Sequence, residues 1–368
     1  MSNTVASFSG DTGYNLTSIS KVEIPTVPKD ALLIKGIAYA ANPTDWKHLV
    51  YGLGPKGSRL GTDVAGVVEE VGSEVKGFEK GDIVSHFMHG NTNPDNGAFQ
   101  EYLIANPATT IKYNKSGFKT EALPSGQTTP IGKIDTFEGA ASVTLGLVTI
   151  GLSFSHHLKI SSNKADNADK YILIWGGATA TGFLAIQVAK LVYGLKVIAT
   201  ASKKHHECLK NIGADYLVDY NDKDAVDQIR AIGGSKINYG FDAVSNKDTF
   251  QSLYDATSET KDVRLDNLLF LSEKDINADP NRKVYIGETL AYVVTGENVN
   301  FGGHMVYSSP ELIAAYTNFW TEILPPYIPQ LVHSNLKVLT PGFESIDVAF
   351  SLLRENKVSG EKLVFRRE

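Results

Sequence analysis

A glycine-rich segment in the middle of the chain has the composition of a phosphate-binding loop. Residues 176–182 read Gly-Gly-Ala-Thr-Ala-Thr-Gly and separate an apolar run from a helical pattern. Small residues let a backbone approach a pyrophosphate closely, and the N–H groups at a helix start face the anion. The spacing places Gly177 and Gly182 at the first and third glycines of the dinucleotide fingerprint G-x-G-x-x-G, with Thr179 at the middle position. The predicted phosphate-binding residues are Gly177, Ala178, Thr179, Ala180, Thr181 and Gly182, and a plain strand-to-helix turn is the alternative.

The segments on either side of this loop predict the elements that would position it. Residues 171–175 are short and apolar, which is typical of a strand buried on both faces. Apolar residues recur at helical spacing from Phe183 to Val192, and Gly194 is placed to end that helix. A second apolar run at 195–201 predicts another strand. Together these elements predict one βαβ unit with a right-handed crossover.

The residues after the second strand indicate which dinucleotide would bind. They read Ser202-Lys203-Lys204-His205, with no acidic residue until Glu207. NAD enzymes usually place an Asp or Glu there to bind the ribose hydroxyls, whereas a 2′-phosphate requires cations and hydroxyls. Cations at a helix N-terminus oppose the helix dipole, and a bound anion would relieve this. The sequence therefore predicts NADPH; the alternatives are NADH or a basic helix start that is merely solvated.

Length and charge limit the possible classes of protein. A chain of 368 residues exceeds one ordinary domain, so we expect two. A net charge of −6 disfavours nucleic acid and anionic membranes as partners. Cys208 is the single cysteine, which excludes a disulfide within the chain and a thiolate-built zinc site. The first twelve residues are polar and lack the features of a secretory signal, so a cytoplasmic location is expected.

The order of predicted elements indicates an α/β protein with a β-rich region. Residues 1–120 contain short apolar or alternating runs separated by Pro and Gly, a pattern typical of strands. From 171 to about 275, strands alternate with helices, which predicts a parallel, doubly wound sheet. Its predicted strands are 172–175, 196–201, 216–219, 239–244 and 267–271. Beyond Pro310 the pattern predicts helices at 311–324 and 346–354 and a final strand at 362–365.

Several segments together resemble the medium-chain dehydrogenase/reductases. Residues 60–72, Leu-Gly-Thr-Asp-Val-Ala-Gly-Val-Val-Glu-Glu-Val-Gly, look like the glycine-rich signature of that family, and residues 78–84 and 96–102 resemble its next blocks. The resemblance implies a Rossmann doubly wound parallel sheet, residues 141–305, inserted in a β-rich GroES-like catalytic domain. That catalytic domain is expected to comprise residues 1–140 and 306–368.

Three shorter motifs resemble a fungal subgroup of the same family. They are Asn42-Pro-Thr-Asp-Trp-Lys47, the loop at 176–181 and Ser359-Gly-Glu-Lys-Leu-Val364. The subgroup contains trans-acting enoyl reductases, ToxD-like proteins and yeast zinc-independent aldehyde reductases. Zinc enzymes of the wider family bind their catalytic metal through two Cys and one His, with a Glu nearby. Here Asn42 stands at the first Cys and Thr62-Asp63 stands where His-Glu would be, so we expect no zinc.

The resemblance also implies the catalytic residues. Lys47 and Thr149 match a Lys and a Thr that lie beside the nicotinamide in the fungal enoyl reductases. An ammonium or hydroxyl there could stabilise the negative charge that develops on a substrate oxygen. The alternatives are an exposed lysine and a helix hydroxyl bonded to its own turn. Tyr51 is a second candidate proton donor, and Asp45 is expected to order the local backbone.

Further contacts are predicted from the same resemblance. The cofactor-binding set, beyond the glycine loop, is Thr44, Asp45, Lys47, Ser202, Lys203, Lys204, His205, Tyr220, Leu268, Val358 and Ser359. The substrate-binding set is Tyr51, Ile150, Phe154, Tyr292 and Val294. These side chains are mostly apolar, which suits a small hydrophobic enoyl or carbonyl substrate.

The expected function is a zinc-independent, NADPH-preferring reductase of an activated C=C bond in an α,β-unsaturated carbonyl compound. An NADH- or NADPH-linked aldehyde reductase is the alternative enzyme, and a non-catalytic cofactor binder is the alternative from another class. The apolar run within 288–295 also predicts an open edge strand that pairs two copies into a homodimer, unless the run lines the substrate pocket.

Overall fold

Two sheets contain most of the strands in the computed structural model, which describes residues 2–368. The strands are β1 (Ser2–Phe8), β2 (Thr17–Glu23), β3 (Leu32–Ala40), β4 (Asp63–Val71), β5 (Ile83–Phe87), β6 (Tyr102–Ala105), β7 (Thr110–Tyr113), β8 (Thr128–Thr129), β9 (Gly132–Lys133), β10 (Tyr171–Trp175), β11 (Lys196–Thr200), β12 (Tyr216–Val218), β13 (Ile237–Asp242), β14 (Val263–Asn267), β15 (Val284–Glu288), β16 (Val299–Phe301), β17 (His304–Val306), β18 (Val332–His333), β19 (Asn335–Val338) and β20 (Glu361–Arg366). The α-helices are α1 (Pro43–Val50), α2 (Phe137–Ala141), α3 (Thr144–Leu152), α4 (Ala180–Gln187), α5 (His206–Asn211), α6 (Ala225–Gly233), α7 (Lys247–Ala256), α8 (Pro310–Asn318) and α9 (Ser345–Arg354).

The six-stranded sheet is parallel and has the order β12-β11-β10-β13-β14-β15. This is the doubly wound order of a dinucleotide-binding fold, so the predicted α/β class is confirmed. The central strand β10 is buried along its whole length, as its apolar run predicts. The predicted strand at 267–271 is wrong, because the chain leaves the sheet after Asn267. There the Asn267 Oδ1 atom accepts the backbone N–H groups of Leu269 and Leu271 and closes a turn.

The β-rich region forms a second, eight-stranded sheet. Its order is β7-β5-β4-β3-β20-β19-β8, with β6 also paired to β3. The last strand of the chain, β20, is antiparallel to β3 and parallel to β19, so the C-terminus completes a sheet begun near the N-terminus. The rings of Tyr39, Phe99 and Phe365 pack with centroids 5.3–5.9 Å apart in its core.

The chain divides into two units. The first comprises residues up to Leu145 with 297–307 and 332–368, and the second comprises 146–296 and 308–331. This division differs from the expected one because the β16–β17 hairpin packs with the first unit. There the ring centroids of Phe301 and His48 lie 5.1 Å apart. It also differs because α8 and the π-helical turn after it pack with the second unit. A Cβ atom on Gly151 would lie 2.6 Å from the Phe319 ring of that turn.

The predicted edge strand at 288–295 is wrong in its position. The edge strands of the six-stranded sheet are β12 and β15, and Ala291–Thr295 forms a 3₁₀ turn instead. Tyr292, Val293 and Val294 are buried there, because the apolar run turns into the unit and does not extend the sheet. The homodimer stays a prediction.

Within residues 2–368, the helical stretch Phe137–His157, which includes α2 and α3, is long and apolar enough to cross a membrane by length and composition alone. Within the protein, 89% of its apolar window is buried. A helix in the core of a protein is buried to this extent.

Candidate functional site

The glycine loop follows β10 and is tied to the end of the neighbouring strand β11. The N–H of Gly176 donates to Thr200 Oγ1 (3.0 Å), and that of Gly177 donates to the Thr200 carbonyl (2.8 Å). The tight turn falls on Gly176, whose φ is +83°, one residue before the glycine that the fingerprint indicated. Gly182 is required for close packing at this turn, because a Cβ atom there would lie 2.2 Å from the Gly176 carbonyl oxygen.

Helix α4 begins directly at this loop, three residues before the predicted start at Phe183. Thr179 is its N-cap, and the Thr179 Oγ1 atom accepts the Gly182 N–H at 3.0 Å. Ala180 and Thr181 occupy the first two helical positions, where an N–H has no acceptor within the helix. Their N–H groups are therefore the ones that can bind an anion, and Thr179 serves as the cap that orients them.

The other predicted cofactor residues of the second unit follow the carboxyl ends of neighbouring strands. Ser202 to His205 follow β11, Tyr220 follows β12, and Leu268 follows β14. The Ser202 and Tyr220 hydroxyls lie 2.9 Å apart, so the structure brings these two residues together. Leu268 is fixed by its N–H, which donates to Ser245 Oγ at 2.8 Å. Ligands of doubly wound sheets bind at this edge.

Two carboxylates that the sequence analysis missed stand beside the predicted 2′-phosphate site. Asp219 Oδ2 accepts the Lys203 N–H at 3.3 Å, and Asp222 Oδ1 lies 3.9 Å from Lys203 Nζ. The backbone N–H of Asn221 is the main cause that lowers the pKa of Asp219. The acid that NAD enzymes usually carry at the end of the second strand is absent there, but Asp219, after the next strand β12, lies against the Lys203 N–H. A comparison of the residues that follow all the predicted parallel strands would have found Asp219.

In the first unit, the motif Asn42–Lys47 forms the start of α1. The Asp45 Oδ2 atom accepts the Asn42 N–H at 2.8 Å and holds this helix start. The half-buried Lys47 places its ammonium 6.0 Å from the Trp46 ring. Thr44 Oγ1 lies 2.7 Å from Nε2 of His48, a residue that the sequence analysis did not select. Tyr51 ends the helix with 68% of its surface exposed.

Asp45 belongs to a closed network of buried side chains, which corrects its assignment to cofactor contact. Besides Asn42, its carboxylate accepts from Thr62 Oγ1 and from Asn91 Nδ2, both at 3.0 Å. The side chain is fully buried, and burial raises its pKa to about 7, against the opposing effect of these hydrogen bonds. Asp45 therefore orders the backbone and does not face a ligand.

The same network contains Asn42, Thr62 and Asp63, which the resemblance matches to the Cys, His and Glu positions of zinc enzymes. Asn42 Nδ2 donates to Thr62 Oγ1 (3.0 Å) and to Asp63 Oδ2 (2.8 Å). The buried ammonium of Lys362, from β20, hydrogen-bonds Asn42 Oδ1 and lies 3.8 Å from Asp63 Oδ2. Within residues 2–368 no group of three or more His, Cys, Asp or Glu side chains is arranged to hold a metal ion. Amide and ammonium hydrogens at this place do not fit a divalent cation, which requires lone-pair donors.

The remaining predicted residues differ in their surroundings. Thr149 is buried on α3 in the second unit, and Val358 and Ser359 precede β20 in the first. Ile150 and Phe154 are fully buried, and the Phe154 ring packs edge-on against Tyr193 and Phe241. We therefore assign Ile150 and Phe154 to the core of the second unit and withdraw them from the substrate-binding set.

An open groove of about 730 Å³ lies in the second unit along α8. Its lining includes Gly296, Ile313, Ala314, Thr317 and Thr321. None of the five predicted substrate-binding residues lines this groove. Two of them, Tyr292 and Val294, are buried.

Comparison with known proteins agrees with this architecture. Residues 28–115 match the model of the alcohol dehydrogenase GroES-like domain, and residues 180–263 match that of the zinc-binding dehydrogenases. An uncharacterised protein of Saccharomyces cerevisiae is 36% identical over 354 residues, covering 93% of both chains. The trans-enoyl reductase TOXD of Cochliobolus carbonum is 35% identical over 301 residues, covering 80% of this chain and 92% of that protein.

Solved structures share the fold at low sequence identity. The crystal structure of CurK enoyl reductase superposes with a TM-score of 0.72 at 16% identity and covers 99% of each chain. With the doubly wound sheet, the GroES-like region and relatives above 30% identity along most of the chain, the protein belongs to the medium-chain dehydrogenase/reductase superfamily, in the fungal group that includes the trans-enoyl reductases.

Proposed function

We propose that this protein is an NADPH-dependent reductase of activated C=C bonds that works without a catalytic metal. The proposal rests on the groups that the structure places at the carboxyl-terminal edge of the six-stranded sheet. There the glycine loop, the Ser202–Tyr220 pair and Leu268 follow the ends of four strands that run in one direction. Similarity to fungal proteins named trans-enoyl reductases supports the choice of reaction.

Each group has a distinct part in the proposed reaction. A reduced nicotinamide, when bound, would supply a hydride to the β-carbon of the unsaturated carbonyl compound, and the resulting enolate would take a proton from water at its α-carbon. The N–H groups of Ala180 and Thr181 bind the pyrophosphate, and Ser202, Lys203 and Tyr220 bind the 2′-phosphate. Lys47 and Thr149 donate hydrogen bonds to the carbonyl oxygen, on which negative charge develops.

The buried network around Asn42 supports the metal-free part of the proposal. A catalytic zinc would have to displace the Lys362 ammonium and the Asn42 amide from Asp63. Burying a divalent cation beside an ammonium is electrostatically unfavourable. We propose that Lys47, as a cation, polarises the substrate carbonyl in place of a metal ion.

A panel of acceptors with each reduced nicotinamide tests the reaction. Cinnamaldehyde-type enals and thioester-linked enoyl compounds should be reduced at the C=C bond with oxidation of NADPH, before and after prolonged chelation. Product analysis separates the saturated aldehyde from the allylic alcohol. Alcohol as the sole product would favour the aldehyde reductase, and loss of activity with a stoichiometric zinc would contradict the metal-free proposal.

Substitution of Thr181 tests whether the glycine loop binds the cofactor. Thr181→Asp places a carboxylate where the pyrophosphate is expected, so NADPH should no longer raise the melting temperature. The wild type should gain about 2.7 kcal/mol of stability at a hundredfold excess over the dissociation constant. Thr181→Asn, similar in size but uncharged, is the matched control and should retain most of the shift. Equal shifts in the wild type and Thr181→Asp would show that the dinucleotide binds elsewhere.

A further inference from the structure

The turn that follows β13 lies directly beside the glycine loop. The parallel pairing of β10 with β13 reaches Trp175 and Asp242, and the next N–H, that of Ala243, donates to the Trp175 carbonyl at 3.0 Å. Val244 therefore stands beside Gly176, where a Cβ atom added to the glycine would lie 2.5 Å from Val244 Cγ2. Although it packs against this loop, Val244 is 41% exposed. An apolar side chain thus lies open to solvent at the predicted phosphate-binding loop.

The strand order indicates which part of a dinucleotide would reach Val244. The order reverses between β10 and β13, and ligands of doubly wound sheets bind across such a switch point. The Ser202 and Tyr220 hydroxyls, to which we assign the 2′-phosphate, follow β11 and β12 on one side of β10. Val244 follows β13 on the other side. A dinucleotide whose pyrophosphate lies at the glycine loop therefore extends its nicotinamide half toward Val244.

The residue after Val244 has a strained backbone. Ser245 is buried and has a φ of +60°, in the left-handed region that residues other than glycine rarely adopt. Its hydroxyl donates to the Asp242 carbonyl at 2.6 Å and accepts the Leu268 N–H at 2.8 Å. Strain of this kind persists only where the surroundings hold it, and it is concentrated at sites that contact ligands.

Asp242 fixes the same turn to the rest of the second unit. Its carboxylate is buried, and Oδ1 accepts the N–H groups of Val244 and Ser245, both at 2.9 Å. Oδ2 accepts the hydroxyl of Thr249, on α7, at 2.7 Å. Burial raises the pKa of Asp242, and these hydrogen bonds oppose that effect. The turn is thus bound to β13 and α7 and, through Leu268, to the residues after β14.

A fixed apolar side chain at the switch point suits the flat, weakly polar nicotinamide ring. Burying apolar surface favours binding, and a side chain that is held before the ligand arrives costs little entropy to order. We propose that Val244 packs against the nicotinamide half of the bound dinucleotide and that Ser245 is a positioning residue that holds Val244 in place. This inference rests on the proposed function, in which the second unit binds NADPH.

Two ligands distinguish the halves of the dinucleotide. Adenosine 2′,5′-bisphosphate carries the 2′-phosphate but lacks the nicotinamide half. Val244→Ala should weaken NADPH roughly three- to tenfold, the effect of burying one to two fewer methyl groups, and should change the bisphosphate by less than about twofold. Lys203→Ala with Lys204→Ala should weaken both ligands. Titration calorimetry measures all of these dissociation constants.

Matched variants separate contact with the ligand from an effect on the loop. Val244→Ile keeps an apolar side chain and should retain NADPH binding. Val348→Ala changes another exposed valine, on α9 of the first unit, and should leave both ligands unchanged. Equal losses of NADPH and the bisphosphate in Val244→Ala would show that the valine only supports the glycine loop. That result, or unchanged NADPH affinity in Val244→Ala, would overturn the proposal.

Two substitutions of Ser245 test its positioning role. Ser245→Ala and Ser245→Gly both remove the hydroxyl, but only glycine adopts a φ of +60° without strain. The melting temperature should therefore fall less in Ser245→Gly, whereas both variants should weaken NADPH and spare the bisphosphate. Adding Ser245→Ala to Val244→Ala should cause no further loss of NADPH affinity, because Ser245 acts through Val244.

The outcomes for Ser245 and for the wild type are separable. Losses of NADPH affinity that follow the melting temperature, or that add in the double variant, would contradict the positioning role of Ser245. A wild type that binds neither ligand would reject the proposed function and this inference with it. A wild type that binds both ligands, with Val244→Ala unchanged, would reject this inference alone.

Discussion

The glycine loop of the parallel sheet and the buried network around Asn42 are built from different kinds of groups. At the edge of the parallel sheet, the N–H groups of Gly176 and Gly177 hold the loop to β11, and those of Ala180 and Thr181, at the start of α4, can bind an anion. Around Asn42, side chains bond to one another in a closed network that includes Asp63 and Lys362. A backbone site depends on small residues and on a helix start, whereas a closed network depends on every member, because each removal leaves a buried polar group unpaired.

The largest expected effect tests the closed network. Lys362→Met removes the ammonium beside Asp63 and leaves a fully buried carboxylate without its cation. Breaking a buried pair in this way typically costs about 3–5 kcal/mol. Denaturant unfolding and hydrogen exchange of peptides from β3 and β20 should show that loss in the first unit.

Two further variants sharpen this result. Lys357→Met removes an exposed ammonium that lies 2.7 Å from Glu355 and should change the stability by less than about 0.5 kcal/mol. Asp63→Asn introduced together with Lys362→Met should recover part of the loss, because the buried charge is then absent. Equal stability of Lys362→Met and the wild type would show that the network is not closed.

A smaller effect concerns the pH dependence of the same network. Burial raises the pKa of Asp45 to about 7, above its unfolded value of about 3.8. Between these values the folded protein holds a proton that the unfolded chain has released. This contribution to stability is therefore complete below pH about 4 and is lost as the pH rises to about 7, with a total of at most about 4 kcal/mol.

Asp45→Asn removes the titrating group, so its unfolding free energy should depend less on pH than that of the wild type between pH 4 and 7. Asp63, whose pKa is also raised chiefly by burial, contributes in the same direction and stays in both proteins. Urea unfolding at five pH values measures the two curves. Parallel curves would mean that Asp45 does not carry the proton.

The difference between the regions also explains what the sequence could predict. The βαβ unit and the parallel, doubly wound sheet are confirmed, because glycine positions and apolar runs are local signals. The shift of the tight turn from Gly177 to Gly176 is a one-residue error within a correct loop. The strand predicted at 267–271 failed because its first residue, Asn267, closes a turn with its own side chain.

Local sequence patterns could not predict the closed network. Asn42 and Lys362 are 320 residues apart in sequence, and the pairing of β20, which contains Lys362, with β3, which ends two residues before Asn42, brings them together. One signal was present, since a lysine within the apolar final strand requires a buried partner. Nothing in the spacing of Thr44 and His48 distinguished them from surface residues of a helix, because the hairpin that buries His48 comes from residues 299–306.

The smallest expected effect concerns the edge of the parallel sheet. If Ser202, Lys203, Lys204 and Tyr220 bind the 2′-phosphate, then Lys203→Ala with Lys204→Ala should weaken NADPH much more than NADH. A charge-assisted hydrogen bond is worth roughly 1.5–3 kcal/mol, or roughly ten- to a hundredfold in affinity. NADH lacks the phosphate and should change by less than about threefold. The loss should shrink at higher ionic strength, because these lysines are exposed.

The substitution Asp222→Asn should have the opposite effect on NADPH affinity. Asp222 Oδ1 lies 3.9 Å from Lys203 Nζ and competes with a phosphate for that ammonium. Its removal should tighten NADPH by about two- to threefold, the size expected for an exposed ion pair, and leave NADH unchanged. Both dissociation constants, measured at two salt concentrations for the wild type and each variant, test this. Equal losses of NADH and NADPH in the lysine double variant would assign these lysines to the pyrophosphate or to folding. A wild type that prefers NADH would instead point to Asp219, held against the Lys203 N–H, as the group that binds the ribose hydroxyls.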